Sequence, residues 1–537
     1  MSNRNYPTIH YFPNIINSGS VYVDKTPFIL PLLQNTAKPS FFLSRPRRFG
    51  KSMFVSALEQ VFLGKKDLFK GLYIYDKIEW DTYPVIRISM DKIQFAALGL
   101  EEALINAVKH AAEACDIRLA YTNSSGLAFQ ELLESLCKKH GKGVVVLIDE
   151  YDKPIINYLE NDDSQQAEKN RDILKAFYGI LKDNGQYLRF TFITGVSRFS
   201  KVSIFSDLNY VTDLTLDTRF ATICGFTDTE IRQYCNTGLE DLALKEGKSV
   251  EGIMEKIKYW YNGFSWNAID FVYNPYSTML LMDAQVFDEY WFSSGTPTFL
   301  VKLINKDHKY DFDNLIVHKK DYDWHDLTNL DYISIMLQTG YLTFKKDLGK
   351  GAFKAYYPNK EVETAFSKLL LQGYTKSRPS QVSQTVYDIE NCLEKHDLEG
   401  LVKILTDMFK ILPSHFFQEE YDITDKQGNK KTVTKAVGES FYHAVIYLIF
   451  NTLGLQMNVE VAAKDGRIDA VIETDTHIYI FEFKKDKTAK AALKQITDNK
   501  YPDRFALSKK SIFLIGMSFS LQKRGINDYL ILPYPPQ

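Results

Sequence analysis

The chain has 537 residues, 45% hydrophobic and 25% charged, with 65 Lys+Arg against 67 Asp+Glu. That length accommodates about three or four domains, each able to bury its own core, and the composition excludes collagenous, disordered and disulfide-stapled classes. A net charge of -2 excludes a protein that coats nucleic acid through bulk charge, although such a sum conceals local basic surfaces.

Cys115, Cys137, Cys224, Cys235 and Cys392 lie far apart, with no CxxC pair and no His cluster at zinc spacing. A reduced chain in the cytoplasm is the expectation. The first residues carry no apolar signal core, and no run approaches the ~18 apolar residues of a membrane span. No membrane partner is expected.

From residue 41 to about 215, short apolar runs alternate with longer helical patterns, the grammar of a parallel α/β sheet. The expected strands are Phe41 to Ser44, Val85 to Ser89, Val144 to Asp149 and Arg189 to Thr194, with a fifth around Tyr210 to Leu214. Between them Glu101 to Cys115, Ala128 to Lys139 and Glu168 to Lys182 carry helical periodicity. From Gly225 the pattern turns helical and aromatic, through Tyr259-Trp260-Tyr261 and Tyr290-Trp291-Phe292, and these rings are assigned to packing rather than to a stacking platform. A helical stretch runs to Pro413, and the polar segment Asp422 to Thr434 is the best linker or hairpin turn. After it the order is helix, strand, strand, helix.

The first expected strand feeds Arg45-Pro46-Arg47-Arg48-Phe49-Gly50-Lys51-Ser52, and a helical run, Met53 to Phe62, follows. Strand, loop, Gly-Lys-Ser and helix in that order suit a nucleoside triphosphate, because backbone N–H groups and a helix N-terminus face the phosphates. Lys51 would reach the β and γ phosphates and Ser52 would hold Mg²⁺. Arg45 stands where the general motif has its first glycine. Val144 to Ile148 is an apolar strand ending in Asp149 and Glu150, where Asp149 can hold Mg²⁺ and Glu150 can polarise the attacking water. In Thr194-Gly195-Val196-Ser197-Arg198, either Thr194 or Ser197 could sense the γ-phosphate and Arg198 could neutralise transition-state charge; ordinary turn residues with a solvated arginine fit that segment as well.

These segments, with Tyr22-Val23-Asp24-Lys25-Thr26 ahead of them and Tyr151-Asp152-Lys153-Pro154 after the acids, resemble the AAA-ATPase-like proteins that carry a C-terminal nuclease-like domain. In that family the Arg-Pro-Arg-Arg-Phe-Gly-Lys-Ser loop is the signature, so the resemblance implies ATP contacts along Arg47, Arg48, Phe49, Gly50, Lys51 and Ser52. It also implies an ASCE-type P-loop fold with a helical lid or winged-helix region after Gly225.

Near the C-terminus His477 to Lys484 forms an expected strand, on which alternation points Glu482 and Lys484 to one face. Gly466 to Ile472 is a second strand, and the polar Glu473 to Thr476 turn allows a hairpin that brings Asp469 beside Glu482. Glu439 opens an upstream helix that could supply another acid. Two or three oxygen ligands suit Mg²⁺, with Lys484 placed to position a water or neutralise charge. This set resembles the PD-(D/E)XK nuclease superfamily: Asp469, Glu482 and Lys484 match its motif, Ile468 stands in place of the usual proline, Glu439 matches the acid of its first helix, and Gln495 resembles a supporting helix residue. Residues 431–537 hold 15 Lys+Arg against 11 Asp+Glu, with Lys484, Lys485, Lys487, Lys490 and Lys494 close together, as phosphate contacts need.

The expected architecture is therefore α/β: a P-loop AAA-ATPase-like domain over 1–224, a helical lid or winged-helix region over 225–345, a helical connector over 346–430 and a restriction-endonuclease-like domain over 431–537. The expected function is ATP binding and hydrolysis coupled to metal-dependent cleavage of nucleic acid, DNA first, with Mn²⁺ able to replace Mg²⁺ at the nuclease centre. Homo-oligomerisation is compatible with it. The alternative is a nucleotide-controlled switch or assembly protein whose nuclease-like domain binds a partner without cutting.

Overall fold

The computed structural model describes residues 6–7, 11–37, 39–161, 163–198, 211–291, 300, 304, 315–322, 331–375, 379–412, 418–424, 430–436, 439–452, 457–463, 466–474, 476–520, 522–523 and 525–535. The chain divides into two compact units, residues 1–300 with 312–362 and residues 301–311 with 363–537.

In the first unit, β1 (Ser40–Ser44), β2 (Val85–Ser89), β3 (Val144–Asp149), β4 (Leu188–Gly195) and β5 (Thr212–Asp213) form one parallel sheet in the order β2-β3-β4-β1-β5. Four strands fall where the apolar runs placed them. The fifth is shorter than expected, and Tyr210 lies outside the described residues. Insertion of β4 between β1 and β3 is the arrangement expected of the ASCE fold. β3 is buried at every position, as a central parallel strand covered on both faces must be. Helices Lys51–Phe62, Leu100–Glu113, Ser125–His140 and Ser164–Asp183 supply the crossovers. The third is capped by Ser124, which accepts from Leu127 N, and is closed by left-handed Gly141.

The segment after Gly225 contains the helices Asp228–Tyr234, Asn236–Glu246, Val250–Tyr261 and Pro275–Ala284 around one apolar core with Ile231, Leu239, Ile257, Tyr261 and Leu281. Of the aromatics assigned to packing, Tyr261 and Trp291 are buried and Trp260 and Tyr290 are half-buried against the core, whereas Tyr259 is exposed and Phe292 lies outside the described residues. The helical and aromatic pattern predicts no strands here, yet β6 (Ile316–His318), β7 (Thr343–Gly349) and β8 (Ala352–Tyr356) form an antiparallel sheet in the order β6-β8-β7. β6 is only three residues long and β7 carries Lys345-Lys346-Asp347, so neither shows apolar alternation long enough to mark a strand. The early Asp24-Lys25 pair is structural: Asp24 accepts from Thr26 N and Tyr73 N at 2.8 and 2.7 Å, and buried Lys25 donates to Glu230 at 2.6 Å and to Thr222 O at 3.0 Å.

The second unit contains helices Lys360–Thr375 (from residue 363), Pro379–Glu394 and Leu398–Ile411, then a hairpin of β9 (Gln418–Thr424) and β10 (Lys430–Ala436). Residues 422–424 and 430–434 of the polar segment thus belong to the paired strands, and its residues 425–429 lie outside the described residues. After helix Glu439–Thr452 comes a mixed sheet in sequential order, β11 (Met457–Ala463), β12 (Gly466–Glu473), β13 (His477–Lys485), β14 (Ser511–Ser520) and β15 (Gly525–Tyr534), with only β13 and β14 parallel. Helix Ala489–Asp498 makes that parallel crossover and packs Leu493 and Ile496 into the sheet core. β12, β13 and the crossover helix fall where the sequence places them, whereas β11, β14 and β15 are additional to the expected helix, strand, strand, helix order. No helix among the described residues is long and apolar enough to cross a membrane.

Candidate functional site

All strands of the first sheet point the same way, so β1, β2, β3 and β4 end at one edge, and the loops that follow them share one place. A cavity of about 440 Å³ opens there, lined by Arg47, Arg48, Gly50, Lys51, Ser52 and, opposite them, Glu150, Asp152 and Lys153. Arg48 has φ +65° and Gly50 φ +92°, so the loop turns sharply into the helix that starts at Lys51. Lys51 donates to the carbonyls of Arg45 and Pro46, both at 2.8 Å. Burial lowers its pKa, opposed by the charges of Glu150 and Asp149. Phe49 turns its ring into the core against Phe264 and Trp266, at centroid distances of 4.7 and 5.6 Å.

Asp149 ends β3, buried, and accepts from Thr194 Oγ1 at 2.6 Å, so the acid and the polar residue of β4 meet as the strand order requires. Glu150 follows in a left-handed conformation at φ +57° and lines the cavity. Burial raises its carboxyl pKa, opposed by the charge of Lys51. Arg198 is placed differently: its Nε donates to Asp213 at 2.6 Å, and it does not line the cavity.

Asp91, Asp152, Lys153 and Glu160, to which no motif assigns a role, also line this cavity. Arg47 pairs with Glu160 at 2.8 Å and Lys153 with Asp91. The available signal was position: Asp91 and Asp152 follow the ends of β2 and β3, Lys153 opens the helix Lys153–Leu159, and Glu160 is the C-cap of that helix. An apolar pocket of about 100 Å³ adjoins Gly50 on its other side, with Val23, Met53, Phe226, Tyr276 and Met279 in its wall. Arg48 lies 4.4 Å from the Tyr276 ring centre, between the two cavities.

In the second unit, β12 and β13 pair with Ala470 opposite Phe481, and Phe483 N donates to Asp469 Oδ2 at 2.7 Å. Glu482, fully buried, accepts from Lys484 Nζ at 2.7 Å, and the same ammonium donates to Phe483 O at 3.0 Å. The strand pair thus brings Asp469, Glu482 and Lys484 together. Glu439 is the first residue of its helix, and its side chain lies outside the described residues. Gln495 Nε2 meets Tyr501 Oη at 3.4 Å, rather than the three charged residues. Among the described residues no group of three or more His, Cys, Asp or Glu is arranged to hold a metal. The carboxylates of Asp469 and Glu482 are nevertheless oxygen donors, the type that suits a hard divalent cation.

Parallel order, phosphate loop and paired acids define the first unit as a P-loop AAA-ATPase-like fold, and the carboxylate–lysine hairpin marks the second as PD-(D/E)XK-like. Residues 7–205 match the family described as Predicted AAA-ATPase, and residues 437–529 match the PD-(D/E)XK nuclease superfamily. The chain belongs to the AAA-ATPase-like family with a C-terminal PD-(D/E)XK nuclease superfamily domain. It is 34% identical over 522 residues, 95% of each chain, to a protein of Azotobacter chroococcum mcd 1 named "Uncharacterized protein in vnfD 5'region".

Proposed function

We propose that this protein binds and hydrolyses ATP at the N-terminal site and cuts nucleic acid, DNA first, at the C-terminal one, with nucleotide state controlling the cut. The observation that carries the reading is the single cavity gathering Lys51, Ser52 and Glu150 where the parallel strands end. Phosphate oxygens would take over from the Arg45 and Pro46 carbonyls as acceptors for Lys51, while the N–H groups around Gly50 cradle them. Mg²⁺, held by Ser52 and Asp149, would supply charge neutralisation at the phosphates. Glu150 orients the attacking water, and its raised pKa suits it to take a proton. The base would enter the apolar pocket beside Gly50 and meet Tyr276.

At the second site Asp469 and Glu482, with Glu439, are the proposed ligands of Mg²⁺ or Mn²⁺, which would supply Lewis acidity at the scissile phosphate. Lys484 neutralises developing charge or positions the attacking water, and Gln495 supports the helix side of the centre. In this reading residues 1–224 hydrolyse ATP, 431–537 cut, and 225–345 and 346–430 act as lid and connector.

The test incubates the full chain with ATP and Mg²⁺, and separately with plasmid, single-stranded DNA and RNA plus Mg²⁺ or Mn²⁺, with and without ATP. Phosphate release lost in Lys51→Ala and cutting lost in Asp469→Ala are expected. Unchanged ATP affinity and turnover in the first, or unimpaired metal-dependent cutting in the second, overturns the corresponding half. Nucleotide-dependent oligomerisation without any cutting would favour the switch.

A further inference from the structure

We propose that Asp152 is a positioning residue for ATP hydrolysis, its carboxylate holding the turn after β4 and so fixing Glu150 against the phosphate loop. This rests on the ATPase reading above. Asp152 is 1% exposed and lines the phosphate cavity. Its Oδ2 accepts from Val196 N at 3.0 Å, from Ser197 N at 2.6 Å and from Ser197 Oγ. Every partner there is a donor, so an acceptor-only carboxylate matches the turn.

The turn has a second set of ties on its opposite side. Ser44 Oγ donates to Val196 O, and Arg45 N donates to Gly195 O at 3.2 Å, so residues 195–197 are bound to the base of the phosphate loop. Tyr151 N donates to Thr194 O at 2.9 Å and Tyr151 Oη to Ser197 O at 3.2 Å, which adds main-chain registration beside Glu150. The approach is too close for a side chain: a Cβ at Gly195 would stand 2.4 Å from the Tyr151 ring and 2.8 Å from Asp152 Oδ1. Glu150 and Lys51 sit on separate strand-end loops, and the turn held by Asp152 is a shared brace between them. Its removal lets the water-orienting carboxylate shift while the phosphate loop still binds nucleotide. A small misplacement of that kind costs turnover, not affinity.

The experiment measures ATP hydrolysis and binding of a fluorescent ATP analogue in the full chain for wild type, Asp152→Asn, Ser197→Ala and the double variant, with thermal melts alongside. Asp152→Asn is expected to lower kcat by about 10- to 100-fold with KM and analogue affinity within about threefold of wild type. Ser197→Ala is expected to lower kcat by about three- to tenfold, and the double variant to be no slower than Asp152→Asn, because the Ser197 hydroxyl acts through the same Asp152 carboxylate and removes only one of its bonds to the turn. Unchanged kcat in Asp152→Asn, parallel losses of kcat and affinity, or additive effects in the double variant overturn the proposal while leaving the ATPase reading in place. If Asp152→Asn does not fold, Ser197→Ala decides alone, and unchanged kcat overturns the proposal. Absence of hydrolysis by wild type overturns the ATPase reading and this proposal together.

Discussion

The Arg45 guanidinium lies 3.9 Å from the Trp266 ring centre, and this contact accounts for an arginine where the general phosphate loop has its first glycine. The side chain is fully buried and donates to the carbonyls of Ser44, Thr215 and Phe220 at 2.8, 2.9 and 3.1 Å. It leaves the phosphate side and anchors the start of the loop to the segment after β5. Arg45→Gly, which restores the general motif, is therefore expected to destabilise the first unit by about 2–4 kcal/mol, through lost charged hydrogen bonds and cation–π contact. Urea denaturation followed by far-UV circular dichroism measures this, and wild-type stability in Arg45→Gly would remove the anchoring role.

Two glycines with positive φ make a controlled comparison. At Gly263, φ is +106° and a Cβ would stand 2.0 Å from Pro358 O; at Gly141, φ is +62° and nothing lies within 4 Å. Gly141→Ala is expected to cost about 1 kcal/mol, the left-handed backbone term alone. Gly263→Ala adds a clash with main chain that cannot rotate away, and a loss above about 3 kcal/mol is expected. Equal melting temperatures for the two variants would contradict this.

The contrast between Glu482 and Arg45 explains what the sequence made legible. Period-two alternation determines that Glu482 and Lys484 share a face, and a short polar turn brings Asp469 across from them, so local rules suffice for that centre. β3 was legible because it is buried at every position and continuously apolar, whereas the outer β2 was legible by alternation, with Ile86 and Ile88 buried and Val85, Arg87 and Ser89 half-buried. Arg45 has no such local rule: its partners Thr215, Phe220 and Trp266 are at least 170 residues away. The same holds for Arg198, whose partner Asp213 belongs to a two-residue strand too short to carry a pattern.

Glu361 predicts a pH dependence. It is fully buried, accepts from Trp291 N at 2.7 Å and from Ser277 Oγ at 2.9 Å, and burial pushes its pKa up from 4.5 to about 8. A carboxyl raised in the folded state keeps its proton there while the unfolded chain releases it. Its stabilising contribution is thus complete below about pH 4.5 and is lost as pH rises toward and through about 8. Glu361→Gln keeps an acceptor for Trp291 N and cannot ionise. Its urea midpoint is expected to fall less between pH 5 and about pH 9 than that of wild type, and parallel pH profiles would refute the assignment.

Asp469 and Lys484 separate chemistry from folding at the second site. Lys484 is the ion-pair partner of a fully buried Glu482, so Lys484→Ala strands a charge and is expected to cost about 3–5 kcal/mol as well as cutting. Asp469 is only half-buried, and its Oδ2 accepts from Phe483 N. Asp469→Asn retains an oxygen for that bond and removes a negative ligand, so stability within about 1 kcal/mol of wild type is expected with cutting reduced by about 100-fold or more. Excess Mn²⁺ restores part of the rate if the loss is one of metal affinity, because Mn²⁺ binds such sites more tightly than harder cations. The same two variants assayed for ATP hydrolysis should match wild type, since neither residue belongs to the first unit. Cutting by Asp469→Asn at the wild-type rate would remove this carboxylate from the chemistry. Loss of cutting with a parallel fall in melting temperature would assign it a folding role instead.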